Sequence, residues 1–497
     1  MGAREYPDGK RTIRSSPGMS PSCDHGCMRV VVIGSGIVGA GAAYHLSGRG
    51  VDVTVVDRGC PGQATQAGAG IVCPWVDHPE DDDWYRLTRE GARHYPGLVE
   101  ALGEDFGYAK VGALLVAEDP VDLEPVRALL RRRHADAPEM GEVTDVLTPS
   151  DLFPPLSDEL SALLVPGAAR VDGCSVRDAL LRAAVAQGAE VRRGTAVLTP
   201  DGQVFVHPAD EDTPAGTGRQ WNPPGAATGA AGGGTASWRQ AAPLTSPLAG
   251  TPVEEAIEPV AGAPFGGPPD GSPEGPGLPS AEPAEEPAEE PAEEEPPSRG
   301  PAARAPRPAT GTPPASGTWA EEGVPLEADV VIVAAGAWTG EVCRPLGVEL
   351  PVFPRRGQIL HATLDGVDTA FWPMVLPRSG PYLLGFPDSR IVIGATVEDV
   401  GFAPRVTMGG LEEVIEAGLR VAPGLFGATV SETRVGLRPV NAPGPALIGP
   451  LTPRVIVATG LSAYGLTAGP LTGEIAAILA LGERPPFDLT PYALPIR

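Results

Sequence analysis

Apolar positions along this 497-residue chain fall into two patterned regions separated by a long polar stretch. From Met28 to Val206, and again from Leu326 onward, short β-branched runs alternate with stretches of helical spacing. Val30 to Ile33 is a continuous apolar run, as expected of a parallel strand buried on both faces. Ile37 to Gly48 follows as a helix and Val51 to Val56 as a second strand. Trp84 to Leu102 has helical spacing with no proline before Pro96, and Val111 to Ala117 reads as a strand. Val176 to Gln187 is an amphipathic helix closed by Gly188, and Glu190 to Val197 is a strand. Gln203 to Val206 opens a hairpin arm whose return follows the polar stretch, and Val330 to Ala335 is a further buried strand. Beyond Pro351 the strands shorten to Val352–Phe353, Gln358–Ala362, Tyr382–Gly385 and Ile391–Ala395, which predicts an antiparallel sheet. Leu411 to Val421 is a helix, Arg454 to Gly460 a strand entering a turn, and Thr467 to Leu481 the last helix. The pattern predicts an α/β layer joined to an α+β layer.

Composition removes part of the chain from that fold. The 59 prolines and 65 glycines approach a quarter of all residues and concentrate between His207 and Pro325. That stretch carries Ala-Glu-Glu-Pro repeats up to Glu295 and few large apolar residues, so 207–325 is expected to be a disordered insert. It also holds 18 acids against 5 arginines, a net of −13, which is half of the chain's −26. The charge balance of the remainder is therefore ordinary, and nucleic acid is not an expected partner. Residues 1–27 are polar, contain Pro7, Pro17 and Pro21, and are expected to be a disordered leader, with Met28 an alternative start. Val30 to Tyr44 is short for a membrane span and holds four glycines, so neither a signal peptide nor a transmembrane segment is expected. Six scattered cysteines suit a reducing compartment, hence a cytoplasmic location, with peripheral membrane association left open. Cys23-Asp-His-Gly-Cys27 lacks a second ligand pair, and no metal site is expected.

Candidate chemistry begins at the first strand. Gly34, Gly36 and Gly39 occupy the three glycine places of a dinucleotide-binding turn: a tight turn, a close backbone approach to a pyrophosphate, and helix packing on the strand. The helix opened by Ile37 and Val38 aims its unpaired N–H groups and positive dipole end at that phosphate. Asp57 ends the second strand 23 residues after Gly34, where a carboxylate can accept bonds from an adenosine ribose. Small residues from Ala64 to Gly70 imply backbone lying against something flat or bulky, or a tight helix crossing.

Further motifs stand in order: Ala-Gly-Ile-Val at 69–72, Ala-Ala-Gly-Ala-Trp at 334–338, Arg-Arg-Gly-Gln at 355–358, Gly-Leu-Arg-Pro at 436–439, Leu-Ile-Gly-Pro at 447–450, and Ala-Thr-Gly at 458–460 leading to Gly465-Leu-Thr. With these the chain resembles the FAD-dependent D-amino acid oxidase superfamily, in its glycine oxidase and D-amino acid dehydrogenase branch, across nearly all of 28–206 and 326–497. The resemblance implies a Rossmann-type FAD-binding domain (28–110, 166–206, 326–350 and 434–497) interleaved with an antiparallel-sheet substrate domain (111–165 and 351–433). It implies cofactor contacts at Gly34, Gly36, Ile37, Val38, Gly39, Asp57, Arg58, Thr65, Ala69, Gly70, Gly336, Gly465, Leu466 and Thr467. It also implies that Arg438 clamps the substrate carboxylate, for which a planar guanidinium fork is suited, and that Tyr382 lines the substrate pocket.

The resemblance has departures. Leu461-Ser-Ala-Tyr464 stands where glycine oxidases carry a second arginine, so a Tyr or Ser is expected to assist Arg438. Gly68 stands where many relatives have Asn, and no cysteine falls where sarcosine oxidases link their flavin, so non-covalent FAD is expected. The implied reaction is oxidation of the C–N bond of a small amino acid, foremost a D-amino acid, by hydride transfer to flavin N5. It yields an oxo acid and ammonia and needs no strong protein base, with oxygen or a quinone-type carrier as electron acceptor. A secondary amine of the sarcosine or proline type is the alternative substrate. An NAD-dependent dehydrogenase and a non-catalytic scaffold built on the acidic insert are the rivals from other classes.

Overall fold

The computed structural model describes residues 28–208, 323–442 and 444–495. The leader, the Cys23–Cys27 pair and nearly all of the insert lie outside the described residues.

The first sheet has eight strands, in the order Val324–Leu326, Val204–Pro208, Glu190–Leu198, Asp52–Asp57, Arg29–Ile33, Val330–Val333, Val455–Thr459 and Leu447–Pro450. Its five central strands run parallel and its margins antiparallel. The valines of the central strands alternate between two covered faces, which explains their unbroken apolar runs. Val30, Val32, Val53 and Val55 pack into one apolar cluster, and Val31, Val56, Val331 and Val333 into another. Helices Ile37–Ser47, Gly173–Ala186 and Gly465–Ala480 cover the first of these faces. The expected hairpin forms, with Val204 opposite Leu326 and Val206 opposite Val324. Its strands continue to Pro208 and start at Val324, so the hairpin claims both margins of the stretch assigned to the insert.

Helix Asp82–Leu102 is capped by Asp81, which accepts from the Trp84 N–H at 2.9 Å, and ends on Gly103 at φ +62°. It buries Trp84, Leu87, Gly91, Tyr95 and Leu98 on one stripe and passes through Pro96 without ending.

The second sheet also has eight strands and differs from expectation in two ways. Val352 to Thr363 is one continuous strand rather than two, pairing antiparallel with Thr429–Asn441. Pro354 breaks nothing because it faces Pro439, a position where neither residue has an N–H to exchange. The sheet is also mixed: Met374–Pro377 runs parallel to Ala113–Ala117, a pairing across some 260 residues that no local pattern announces. A small third sheet joins Ile71–Val72, Ala169–Arg170 and Ala109–Lys110. Among the described residues no helix is long and apolar enough to cross a membrane.

Helices Ile37–Ser47 and Gly465–Ala480 are largely apolar and meet through glycines. A Cβ on Gly473 would lie 2.4 Å from the Val38 carbonyl oxygen, and one on Gly469 would lie 2.6 Å from Ile37 Cγ2. Inside the turn itself, a Cβ on Gly39 would lie 1.9 Å from the Gly34 carbonyl oxygen. Backbone cannot yield there as a side chain does. Gly39→Ala is therefore expected to cost about 1–3 kcal/mol of stability, measured by denaturant unfolding, and to lower flavin content; an unchanged unfolding midpoint would contradict this packing role.

Candidate active site

A cavity of about 580 Å³ runs from the glycine turn of the first sheet to the inner face of the second. Its size is in the usual range for ligand sites. Of the residues expected to hold the cofactor, Gly34, Gly36, Ile37, Val38, Asp57, Arg58, Thr65, Ala69, Gly70, Gly336, Gly465, Leu466 and Thr467 line it, as do Arg438 and Tyr382. Gly39 does not line it and serves the turn's own packing.

At the turn, Gly34 adopts φ +105°, and a Cβ there would lie 2.5 Å from the Ala334 carbonyl oxygen. Gly36 precedes the helix without a side-chain cap, and the Ile37 N–H donates to Thr65 Oγ1 at 3.0 Å. Asp57 is more fully engaged than a ribose acceptor needs to be. One carboxylate oxygen accepts from the Ser35 N–H at 2.6 Å and the Ser35 hydroxyl at 2.8 Å. The other accepts from the Gly59 N–H at 2.6 Å and the Gln63 amide at 2.9 Å. A ribose hydroxyl reaching Asp57 has to displace one of these side-chain donors, of which Gln63 also lines the cavity.

The Ala64–Gly70 segment satisfies both readings of its small residues. It lines the cavity, and protein also crowds it: a Cβ on Gly68 would lie 2.6 Å from Leu466 Cδ1, and one on Gly436 would lie 2.9 Å from Ala67 Cβ. At the far end, the turn after Val455–Thr459 carries Gly460 at φ +80° and Ser462 at φ +49° into helix Gly465–Ala480, whose N-terminus borders the cavity. Thr467 Oγ1 donates to the Ile71 carbonyl at 2.9 Å, tying this helix to the third sheet.

Strands Val352–Thr363 and Thr429–Asn441 carry four arginines, and their acid partners sort them. Arg355 pairs with Asp399 at 2.8 Å, Arg356 with Glu398, and Arg434 with Glu432 at 2.7 Å. Glu398 also accepts from Gln358 and Thr396, and these bonds, led by that from Arg356, hold its carboxyl down to about 2. Arg438 has no carboxylate partner among the described residues. Its Nη1 donates to the carbonyls of Arg356 and Thr396 at 3.2 and 3.1 Å. The register puts Gly357 opposite Gly436, and a Cβ on Gly357 would lie 2.4 Å from Arg438 Nη1. Glycine at 357 is thus the space the guanidinium occupies. Tyr382 lies near Arg438; burial raises its pKa against the opposing effect of that cation. Arg438 is a cation that lines the cavity and is pinned by backbone carbonyls.

Three further residues line the cavity, two of them, Asp77 and Arg378, without a signal in the sequence. Asp77 follows no motif, and its loop is placed by buried Arg133, which donates to the carbonyls of Trp75, Asp77 and His78 at 2.9, 2.6 and 2.6 Å. Tyr464, named as a possible helper in the departing turn, lies near Asp77, and burial then this carboxylate raise its pKa. Arg378 sits in the turn between Met374–Pro377 and Tyr382–Phe386, also without a carboxylate partner among the described residues. No histidine lines the cavity among the described residues.

The family described as FAD dependent oxidoreductase matches residues 29–257 and 306–479. The chain belongs to this family. It is 34% identical to the uncharacterized oxidoreductase YurR of Bacillus subtilis (strain 168), over 93% of this chain and 97% of that protein. The crystal structure of iminodiacetate oxidase from Chelativorans sp. BNC1 matches 94% of this chain and 99% of its own, with 34% identity and a TM-score of 0.69. Glycine oxidase of Pseudomonas putida is 34% identical over a shorter range, 36% of this chain and 48% of that protein. FAD is therefore the cofactor of this oxidoreductase, and the open helix terminus at Gly36 with the glycine cradle around it fits a pyrophosphate.

Gly357→Ala isolates the receptor from the flavin. Position 357 needs no left-handed backbone, so alanine is expected to fold and bind FAD while displacing the Arg438 guanidinium. KM for the amine substrate should rise at least tenfold with the flavin spectrum unchanged. An unaltered KM would show that Arg438 is not held against Gly357.

Proposed function

We propose that this FAD-dependent oxidoreductase oxidises the carbon–nitrogen bond of a small amino acid whose carboxylate sits on Arg438. The observation that carries the reading is the sorting of arginines on the paired strands, in which Arg438 faces the cavity with no acid of its own. When bound, the flavin supplies hydride acceptance. The chain's part is orientation. Arg438 takes the carboxylate in a bidentate grip, and the Arg356 and Thr396 carbonyls hold the guanidinium plane. Tyr382 stays protonated at neutral pH and supports the same guanidinium. Asp77, which lines the cavity near Tyr464, gives it an acceptor for the substrate nitrogen. The positive end of helix Gly465–Ala480 faces the cofactor and favours negative charge there. The absence of a lining histidine among the described residues accords with a reaction that takes a neutral amine and uses no strong protein base.

A second reading narrows the amine to a secondary one. Two observations favour it: the whole-length likeness to iminodiacetate oxidase, and Arg378 as another cavity-lining arginine without an acid partner. A substrate with a carboxylate on each side of its nitrogen would engage Arg438 with one and Arg378 with the other.

Arg438→Ala is expected to lower kcat/KM by roughly a hundredfold, about 3 kcal/mol, while flavin absorbance is retained. Anaerobic flavin bleaching with D-amino acids, glycine, sarcosine, L-proline and iminodiacetate tests the reaction class; failure of every amine to bleach would overturn it. Arg378→Ala separates the two substrate readings. On the second, it should depress turnover of iminodiacetate at least tenfold more than that of sarcosine, whereas equal effects on both would remove Arg378 from substrate binding.

A further inference from the structure

A second cavity, of about 370 Å³, lies away from the flavin site. It opens beside His45, about 12 Å along helix Ile37–Ser47 from the helix's first residue. His45 and His94 line it, His94 coming from helix Asp82–Leu102, and both face Glu474 of helix Gly465–Ala480. Neither ring is accounted for by hydrogen bonding. His45 Nδ1 is 3.8 Å from Glu474 Oε1 and His94 Nδ1 is 3.5 Å from Oε2, beyond the N–H···O range. The Nε2 atoms of both rings are buried with no hydrogen-bond partner. The Nδ1 atoms, which face the carboxylate without a hydrogen bond to it, are the atoms open to a ligand.

The spacing identifies that ligand. Two ligands on one tetrahedral ion, each 2.0–2.1 Å from it, stand about 3.3 Å apart, close to both imidazole–carboxylate distances. The three ligand atoms lie within 4.8 Å of one another, so a modest inward turn of the side chains closes the set. We propose that His45, His94 and Glu474 bind a divalent transition metal of the zinc class, clamping three helices together outside the flavin site. Two imidazoles and one carboxylate suit such an ion better than calcium or magnesium, which take oxygen ligands. The cavity gives the ion an entry path and leaves a coordination position for water. Arg49, the other charge at the cavity, is exposed and free to turn into solvent. The ligands come from three helices, 49 and 380 residues apart in the chain, which is why no spacing motif marks them.

The test uses the full-length, untagged, FAD-loaded enzyme, dialysed against chelator and titrated calorimetrically with zinc chloride. One zinc per chain is expected, with affinity weakened at least tenfold by His94→Gln and by Glu474→Gln. Absence of a stoichiometric site, or affinity in both variants equal to that of the unsubstituted enzyme, would overturn the proposal. Zinc-edge X-ray absorption of the unsubstituted protein decides the matter if a variant fails to fold: scattering from two imidazoles is expected, and its absence overturns the assignment.

Discussion

Helix Ile37–Ser47 and helix Gly465–Ala480 meet with almost nothing between their backbones. Gly41, Gly469 and Gly473 leave no room for a Cβ without collision or tight contact, and Gly39 leaves none against the turn below. This contact joins parts of the chain more than 400 residues apart and puts two helix N-termini on the same cavity. One N-terminus follows the glycine turn, where a pyrophosphate is favoured, and the other borders the opposite end of the FAD site. If the helices were held apart by ordinary side chains, the two ends would no longer belong to one ligand. Small side chains here are a requirement of geometry, and hydrophobic area is a secondary benefit.

The second sheet contributes the chemistry through an imbalance of charge. Its long paired strands carry four arginines, of which three pair with Asp399, Glu398 and Glu432 and the fourth is left facing the cavity. Burying cations beside acids is ordinary; leaving one unmatched against an apolar cavity wall is expensive unless a ligand completes it. Backbone carbonyls of Arg356 and Thr396 and the missing Cβ of Gly357 keep Arg438 in place until then. The placement of Arg438 therefore rests on the register of one strand pair, and a slip of one residue would turn it to the other face.

Much of this was legible in the residues. The parallel strands declared themselves because both of their faces are buried, and the nucleotide turn because only glycine satisfies its backbone at Gly34 and Gly39. Arg438 was singled out by its Gly-Leu-Arg-Pro setting, yet nothing in the sequence showed that Arg355, Arg356 and Arg434 would be neutralised and Arg438 not. The continuity of Val352–Thr363 was hidden because Pro354 looks like a break until Pro439 is seen opposite it. Asp77 and Arg378 were invisible because each is placed by a distant element: Arg133 fixes the loop of the first, and a parallel pairing with Ala113–Ala117 sets the strand that ends at the second.

Taken alone, the sequence determined which segments form strands and helices, that a dinucleotide turn begins at Gly34, and which family's motifs are present in order. These depend on local periodicity and on backbone angles that few residues tolerate. The tertiary structure decided which charged groups are free, because pairing is settled by strand register and not by spacing. It also decided that Asp57 is already saturated by Ser35, Gly59 and Gln63, and that His45, His94 and Glu474 share one point in space. Such relations join residues that are neighbours only after the chain has folded, so no local pattern can encode them.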